Sequence, residues 1–476
     1  MNTKTNWHIV RHWITRGACI LILGALFALT MASHPPPTRA GELLAADTLL
    51  NPDGTLNLRT GARGAIDLRG WNVTLDATCG PVFEPGDRAP NAPSAVDWNP
   101  LGTGMNSSVL VIAISGTDVY AGGYFTSAGT CDSAAGCNYI AKWNGSSWSP
   151  LGTGMNERVM SIAFSGTDVY AGGYFTSAGT CDGAAGCNRI AKWNGSTWSP
   201  LSTGTGGAVY AVAISGTDVY AGGTFTSAGT CDSAAGCNRI AKWDGLTWLP
   251  LGTGMGGSVW AIAINGTDVY AGGTFTSAGT CNSAAGCNRI AKWNGSTWSP
   301  LSTGTGGAVY AVAISGTDVY AGGSFTSAGT CNSAAGCNRI AKWDGSTWSP
   351  LGTGMDNQVR AITISGTDVY AAGQFTSAGT CDSAAGCNYI AKWNGSSWSP
   401  IGTGVNTWVW SLAINGAGVY AGGNFISAGT CDSAAGCNYI ARYGNTPTAV
   451  TLSSFRANAP AFDLVAWFKQ FLGLAR

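Results

Sequence analysis

The sequence predicts an all-β fold: a seven-bladed β-propeller of four-stranded blades, closed by an N-terminal fourth strand. Three observations lead there. A unit of fifty residues recurs through most of the chain, each unit holds four short apolar runs separated by turn residues, and the array opens on a lone fourth run and ends on a unit without one. Self-similarity at a fixed period marks a repeat architecture, and four strands in about fifty residues is the size of a propeller blade.

The first full unit shows the elements in order. Val109 to Ser115 is an apolar strand closed by Gly116-Thr117-Asp118, and Val119 to Thr126 is a second, interrupted by Gly122-Gly123. Paired glycines inside a strand mark a bulge or a close backbone approach. Tyr139 to Asn144 is the third strand, Asn144-Gly145 is a strong hairpin signal, and a fourth strand runs through Trp148 to Leu151.

Counting these elements predicts a ring. Third strands end at Trp143, Trp193, Trp243, Trp293, Trp343, Trp393 and Tyr443, while fourth-strand tryptophans stand at Trp98, Trp148, Trp198, Trp248, Trp298, Trp348 and Trp398. The lone "DWNPLG" at the start therefore supplies what the last unit lacks. Pairing the two removes an exposed sheet edge. An open β-solenoid, the competing architecture, leaves this complementary truncation without a reason.

Across about 97–443 the unit resembles the kelch and galactose-oxidase-like propeller repeat: an apolar strand, a second ending in Gly-Gly, an aromatic third strand and a tryptophan on the fourth, here Tyr120, Gly122-Gly123, Trp143 and Trp148. The first and last units are more loosely similar to secreted bacterial repeat proteins and to the ectodomains of fungal cortical polarity markers. The resemblance implies a propeller, and it does not carry the copper chemistry of galactose oxidase. No repeat contains histidine, and Glu157 is the one glutamate in the array.

Composition narrows the class further. Charged residues make up 10% of the 476, against roughly a quarter in an average soluble domain, while glycine (71) and tryptophan (20) are abundant. The net charge is zero, so there is no basic surplus to hold a nucleic acid. Lys4, Arg11 and Arg16 precede the apolar run Ala18 to Ala32. At about 1.5 Å per residue that run is too short for a hydrocarbon core of about 30 Å but has the length of a secretory h-region. We read 1–32 as a signal peptide, with an uncleaved anchor as the alternative. Residues 33–96 form an extension with short strands and a proline-bearing linker. Residues 444–476 form a tail whose run "AFDLVAWFKQFLGLAR" is read as a short membrane-interface or partner-binding helix, or as a frayed end.

Every unit repeats Cys-x5-Cys between its second and third strands: Cys131 and Cys137, Cys181 and Cys187, Cys231 and Cys237, Cys281 and Cys287, Cys331 and Cys337, Cys381 and Cys387, Cys431 and Cys437. Two sulfurs per loop fall short of a zinc site, and His8, His12 and His34 all precede the repeats. With secretion argued independently, seven local disulfides are expected, each worth at most about 2.4 kcal/mol in loop entropy. Cys79 is left over. Asp118 and Asp132 are read as turn-capping residues, because the clustered spacing of a calcium loop is missing.

Copies within one chain can be compared with one another. Units 201–250 and 301–350 differ at four positions, so departures elsewhere stand out. They fall in three series. At the start of the first strand are Leu110, Met160, Tyr210, Trp260, Tyr310, Arg360 and Trp410; after the glycine pair are Tyr124, Tyr174, Thr224, Thr274, Ser324, Gln374 and Asn424; opening the third strand are Tyr139, Arg189, Arg239, Arg289, Arg339, Tyr389 and Tyr439. In a propeller these places share one face. Aromatic residues and arginine there predict a recognition surface, and neutral drift at loop-proximal sites is the bland alternative. The candidate ligand-binding residues are Tyr210, Trp260, Tyr310, Arg360, Trp410, Arg189, Arg239, Arg289 and Arg339. The expected function is a secreted or cell-surface binding module for a glycan or an extracellular protein, without cofactor, metal or catalytic residue; an extracellular propeller oxidase or lyase, or a purely structural surface protein, is the alternative.

Overall fold

The computed structural model describes residues 97–416 and 418–444, and before them the strand segments Leu44–Ala45, Ile66–Asp67, Trp71–Asp76 and Gly80–Pro85. The signal segment, Cys79 and the C-terminal apolar run lie outside the described residues. Trp71–Asp76 and Gly80–Pro85 pair as an antiparallel hairpin, and Leu44–Ala45 pairs in parallel with Ile66–Asp67. Among the described residues no helix is long and apolar enough to cross a membrane.

Ala95–Asn445 is one compact unit. In its first blade Val109–Ser115, Asp118–Gly123, Ile140–Trp143 and Trp148–Ser149 form an antiparallel four-stranded sheet in chain order. Five further blades repeat it at fifty-residue steps. The seventh joins Val409–Asn415, Gly418–Gly423 and Ile440–Tyr443 to Trp98–Pro100, with Tyr443 opposite Trp98 and Ala441 opposite Pro100. First strands of successive blades pack against one another right round, blade 7 against blade 1 included, so they line the central channel. The open solenoid is excluded.

The glycine pair works as the sequence implies. A Cβ on Gly122 would stand 2.7 Å from Val111 Cγ1 and 2.8 Å from Val159 Cγ1 of the next blade. Only glycine lets neighbouring sheets close to this distance at six of the seven places. The exception, Ala372, packs with Leu412, the one leucine in a series otherwise filled by isoleucine and valine. Phe125 and its six equivalents are wholly buried between blades. Each such side chain stabilises the fold by roughly 2–3 kcal/mol.

Fourth-strand tryptophans tie six of the seven blades to the link entering them. Trp148 Nε1 donates to the Leu101 carbonyl at 2.9 Å, and five other blades repeat the bond. At the closing strand the bond is missing: Trp98 Nε1 is buried with no partner. Asp97 compensates at this seam, accepting from the Trp98 amide at 2.8 Å and from the Thr430 hydroxyl, while Asn99 Nδ2 donates to the Gly444 carbonyl at 2.9 Å.

All seven disulfides form as expected, each spanning 5.7 Å between Cα atoms. Asp132 caps its loop, accepting from the Ala135 amide at 2.9 Å. Asp118 does not cap a turn. It pairs across the sheet with Lys142 at 2.9 Å, and the same pair recurs in blades 2 to 6, whereas blade 7 holds Gly418 and Arg442 there. The third strand also starts later than expected. Tyr139 has φ 62° and its equivalents φ 61–65°, a left-handed conformation outside the ladder.

Candidate functional site

Each first strand begins with a β-bulge. In blade 2 Val159 is opposite Gly173 and Ser161 opposite Gly172, so Met160 is an extra residue without a partner; all seven blades shift register at the same point. The unpaired residues are Leu110, Met160, Tyr210, Trp260, Tyr310, Arg360 and Trp410, the first variable series. A bulge re-aims the side chain it frees, and bulges gather beside functional sites. On innermost strands, these seven side chains ring one mouth of the channel, and all are half-buried.

Five of them form a continuous girdle. Tyr210 stacks on Trp260 with ring centroids 4.2 Å apart, and Trp260 meets Tyr310 edge-on at 6.0 Å. The Arg360 guanidinium lies 3.9 Å from the Tyr310 ring centre and 5.1 Å from that of Trp410. Trp410 Nε1 donates to Asn424 Oδ1 at 2.8 Å. On the other flank Tyr174 joins through a 2.7 Å hydroxyl–hydroxyl contact with Tyr210, and the Arg158 guanidinium sits 3.4 Å over the Tyr174 ring. Burial, then the Tyr174 hydrogen bond, pushes the Tyr210 phenol up to about 12. Burial pushes the Arg360 guanidinium below its ordinary value, with Tyr310 opposing.

The four arginines of the third series, Arg189, Arg239, Arg289 and Arg339, stand one residue ahead of the third strand and farther from the axis. Two of them are tied into the scaffold: Arg239 Nη1 donates to the Met255 carbonyl at 2.9 Å and Arg289 Nη1 to the Thr305 carbonyl at 3.0 Å, both in the link to the next blade. Arg239 and Arg289 thus act as inter-blade ties. The structure thus gathers Tyr210, Trp260, Tyr310, Arg360 and Trp410 and leaves the arginine series outside that girdle.

Sequence reasoning overlooked Arg158 and Trp408. Both occupy the place two residues before the bulge, which otherwise holds Ser108, Ala208, Ser258, Ala308 and Gln358. That series varies as much as the three singled out, so the signal was present. Trp408 is exposed and meets Trp410 edge-on at 5.7 Å.

Links into the blades come in two forms. In blades 1, 2, 6 and 7 an Asn or Asp reaches across, as Asn106 Oδ1 does to the Thr126 and Ser127 amides at 2.9 and 3.0 Å. In blades 3 to 5 a Gly-Gly pair lies flat, with the Gly206 amide donating to the Ser227 carbonyl at 2.9 Å, and Ser227–Ala228 then pairs with Cys231–Asp232. Tyr210, Trp260 and Tyr310 belong to these three blades.

Among the described residues no three His, Cys, Asp or Glu side chains cluster to hold a metal. A cavity of about 280 Å³ between blades 5 and 6 is lined by Tyr320, Lys342, Leu351 and Trp393. Those residues recur almost unchanged in the other blades, and Lys342 is already paired with Asp318, so this groove is a by-product of stacking.

No protein-family model matches the chain, and no curated protein matches it. Solved structures with a similar course include the computationally designed Ika8 protein (19% identity, 73% of this chain and 91% of that one, TM-score 0.43). The WD40 β-propeller domain of Doa1 is similar at 13% identity over 72% of this chain and 95% of that one, TM-score 0.43. A chain of the mitotic checkpoint complex is similar at 14% identity over 70% and 93%, TM-score 0.40.

Proposed function

We propose that this propeller is a noncatalytic binding module, secreted or displayed at a cell surface, that takes a glycan or an extracellular protein on the channel-mouth face. The kelch-like character of its repeat belongs to the same reading. One observation carries it: among the residues that differ between otherwise near-identical blades are the seven that the bulges release from the ladder, and five of these join in one aromatic and cationic girdle. Half-buried aromatics beside arginine are the usual anchors of recognition surfaces. Secretion is supported by the N-terminal apolar run and by the seven disulfides, which persist in oxidising compartments.

The test is a glycan and extracellular-protein array probed with the purified chain and with Trp260→Ala. Binding that Trp260→Ala abolishes supports the reading. Stoichiometric copper or another metal together with turnover in an oxidase and hydrolase screen overturns it.

A further inference from the structure

The chain contains six Asn-Gly pairs, all at hairpin tips. Asn144, Asn194, Asn294 and Asn394 stand between third and fourth strands, whereas Asn265 and Asn415 stand between first and second. With no Cβ beside it, a glycine amide nitrogen can approach the carboxamide carbon of the asparagine before it and attack it. The tetrahedral carbon so formed carries negative charge on the former Oδ1. Donors already aimed at that oxygen therefore promote the step.

The four outer turns supply such donors. Asn144 Oδ1 accepts from the Ser146 amide, the Ser146 hydroxyl and the Ser147 amide, each at 2.9 Å. Asn394 Oδ1 has the same three donors at 2.9, 3.0 and 2.9 Å. Asn194 and Asn294 each take a serine amide and hydroxyl at 3.0 Å and a threonine amide at 2.8 Å. The inner pair is bonded the other way round: Asn265 Nδ2 donates to the Gly316 carbonyl at 2.9 Å, and Asn415 Nδ2 to the Gly116 carbonyl at 2.8 Å, both in the next blade. There the nitrogen that would leave is tied down. Access does not separate the two groups, since a Cβ placed on any of the six glycines would meet nothing within 4 Å.

Blades 3 and 5 already hold aspartate at the same place. Asp344 Oδ1 accepts from the Ser346 and Thr347 amides at 2.8 and 2.7 Å, and Asp244 Oδ1 from the Leu246 and Thr247 amides at 2.9 and 2.8 Å. Those amides, Thr347 and Thr247 foremost, hold both carboxyls below their ordinary value. The turn thus accepts the charged product as readily as the amide.

We propose that Asn144, Asn194, Asn294 and Asn394 are self-modifying sites, while Asn265 and Asn415 are spared. In each, the glycine nitrogen attacks Cγ and yields its proton to solvent base, Nδ2 leaves as ammonia, and water opens the succinimide to aspartate or isoaspartate. Each conversion adds one negative charge to a chain of zero net charge. The strand registers put these turns at the blade end opposite the bulges, so the charge gathers on the face away from the girdle.

Incubating the full chain at pH 8 and 37 °C, with tandem mass spectrometry following each asparagine, tests this. In the folded ring the four should convert roughly tenfold faster than Asn265 and Asn415, and isoelectric focusing should show acidic steps accumulating. In urea with the disulfides reduced, where only sequence neighbours act, all six rates should converge. Ser146→Ala should slow Asn144 by roughly threefold, the worth of one hydrogen bond in water, and leave Asn394 unchanged. Leu246 shows that the turn forms without that hydroxyl. Equal rates for the two groups in the folded ring overturn the inference, as does a rate at Asn144 indifferent to Ser146→Ala in a ring of unchanged melting temperature.

Discussion

At position 125 and its six equivalents every blade carries a phenylalanine wholly shut between two sheets, whereas at position 110 and its equivalents the chain carries Leu, Met, Tyr, Trp, Tyr, Arg and Trp. The two places lie on the same face of the ring, yet one never varies and the other hardly repeats. Packing explains the first. A protein interior is filled to crystal-like density, so exchanging Phe125 would open a cavity or force an overlap in every copy. The bulge explains the second, because a residue with no partner across the ladder and only partly buried is held less tightly by its neighbours. At these two places sameness follows packing, and ligand chemistry can be written where packing lets go.

Breaking the invariant body is expected to give the largest effect. Deleting residues 94–102 removes the strand opposite Tyr443, the buried Trp98 ring that meets it at 5.5 Å, and the Asp97 bonds to blade 7. The loss is on the order of 5 kcal/mol, most of a typical stability margin. Scanning calorimetry should record a clear fall in melting temperature, and light scattering should show association through the opened edge. An equal cut after residue 460 should leave the melting temperature alone. Similar values for the two truncations would remove the case for closure by this strand.

Next in size is the staple. Replacing Cys281 and Cys287 together by serine frees a loop of about seven residues and is expected to cost about 2 kcal/mol. Because each bridge is local to one blade, the loss should be nearly the same for Cys331 with Cys337, read by urea midpoints at constant slope. Peptide mapping without reductant checks the pairing itself, and a link between blades would contradict it.

Trp260→Ala sharpens the comparison from the other side. It removes the stack on Tyr210 and the edge contact with Tyr310, at about 1 kcal/mol of stability. Its effect on ligand binding should be far larger than on folding. A Phe275→Ala variant, from the same blade's core, should show the reverse: a cost of about 3–5 kcal/mol with binding following only the folded fraction.

How far the fold could be read depends on where the information sits. Strands, turns, disulfides and ring closure are written in short-range patterns: the Asn144-Gly145 turn, the Cys131–Cys137 spacing, the tryptophan at a fixed phase. The misplaced residues depend on partners far along the chain. Asp118 meets Lys142 only once the second and third strands pair, and Arg239 meets the Met255 carbonyl only once the link to the next blade is in place. The left-handed Tyr139 gave no signal, since tyrosine and arginine carry no preference for φ near 60°. The variable series was visible and the glycine pair signalled a bulge or close approach, but not that the extra residue lies on the facing first strand, and that bulge separates Trp260 in the girdle from Arg289 outside it.

The smallest effect is silent at neutral pH. The Tyr210 phenol is pushed up to about 12, first by burial and then by its hydrogen bond to Tyr174. In the unfolded chain it ionises near its ordinary value of about 10. Its folded value is the higher one, so the unfolded state loses its proton first. The neutral phenol's contribution to stability is therefore complete below pH about 10 and is lost as the pH rises towards about 12. Urea unfolding at pH 9 and pH 11 should show wild type losing more stability between the two than Tyr210→Phe, which has no phenol to ionise. Tyr120, Tyr170, Tyr220, Tyr320 and Tyr370, in the blade bodies, are also raised by burial, so the variant removes one part of a larger alkaline decline. Absorbance titration separates that part: the slowest phenolate to appear should vanish in Tyr210→Phe. An unchanged titration would mean that Tyr210 stands in open water, and the girdle would then lack the burial on which its contacts with Trp260 and Tyr174 depend.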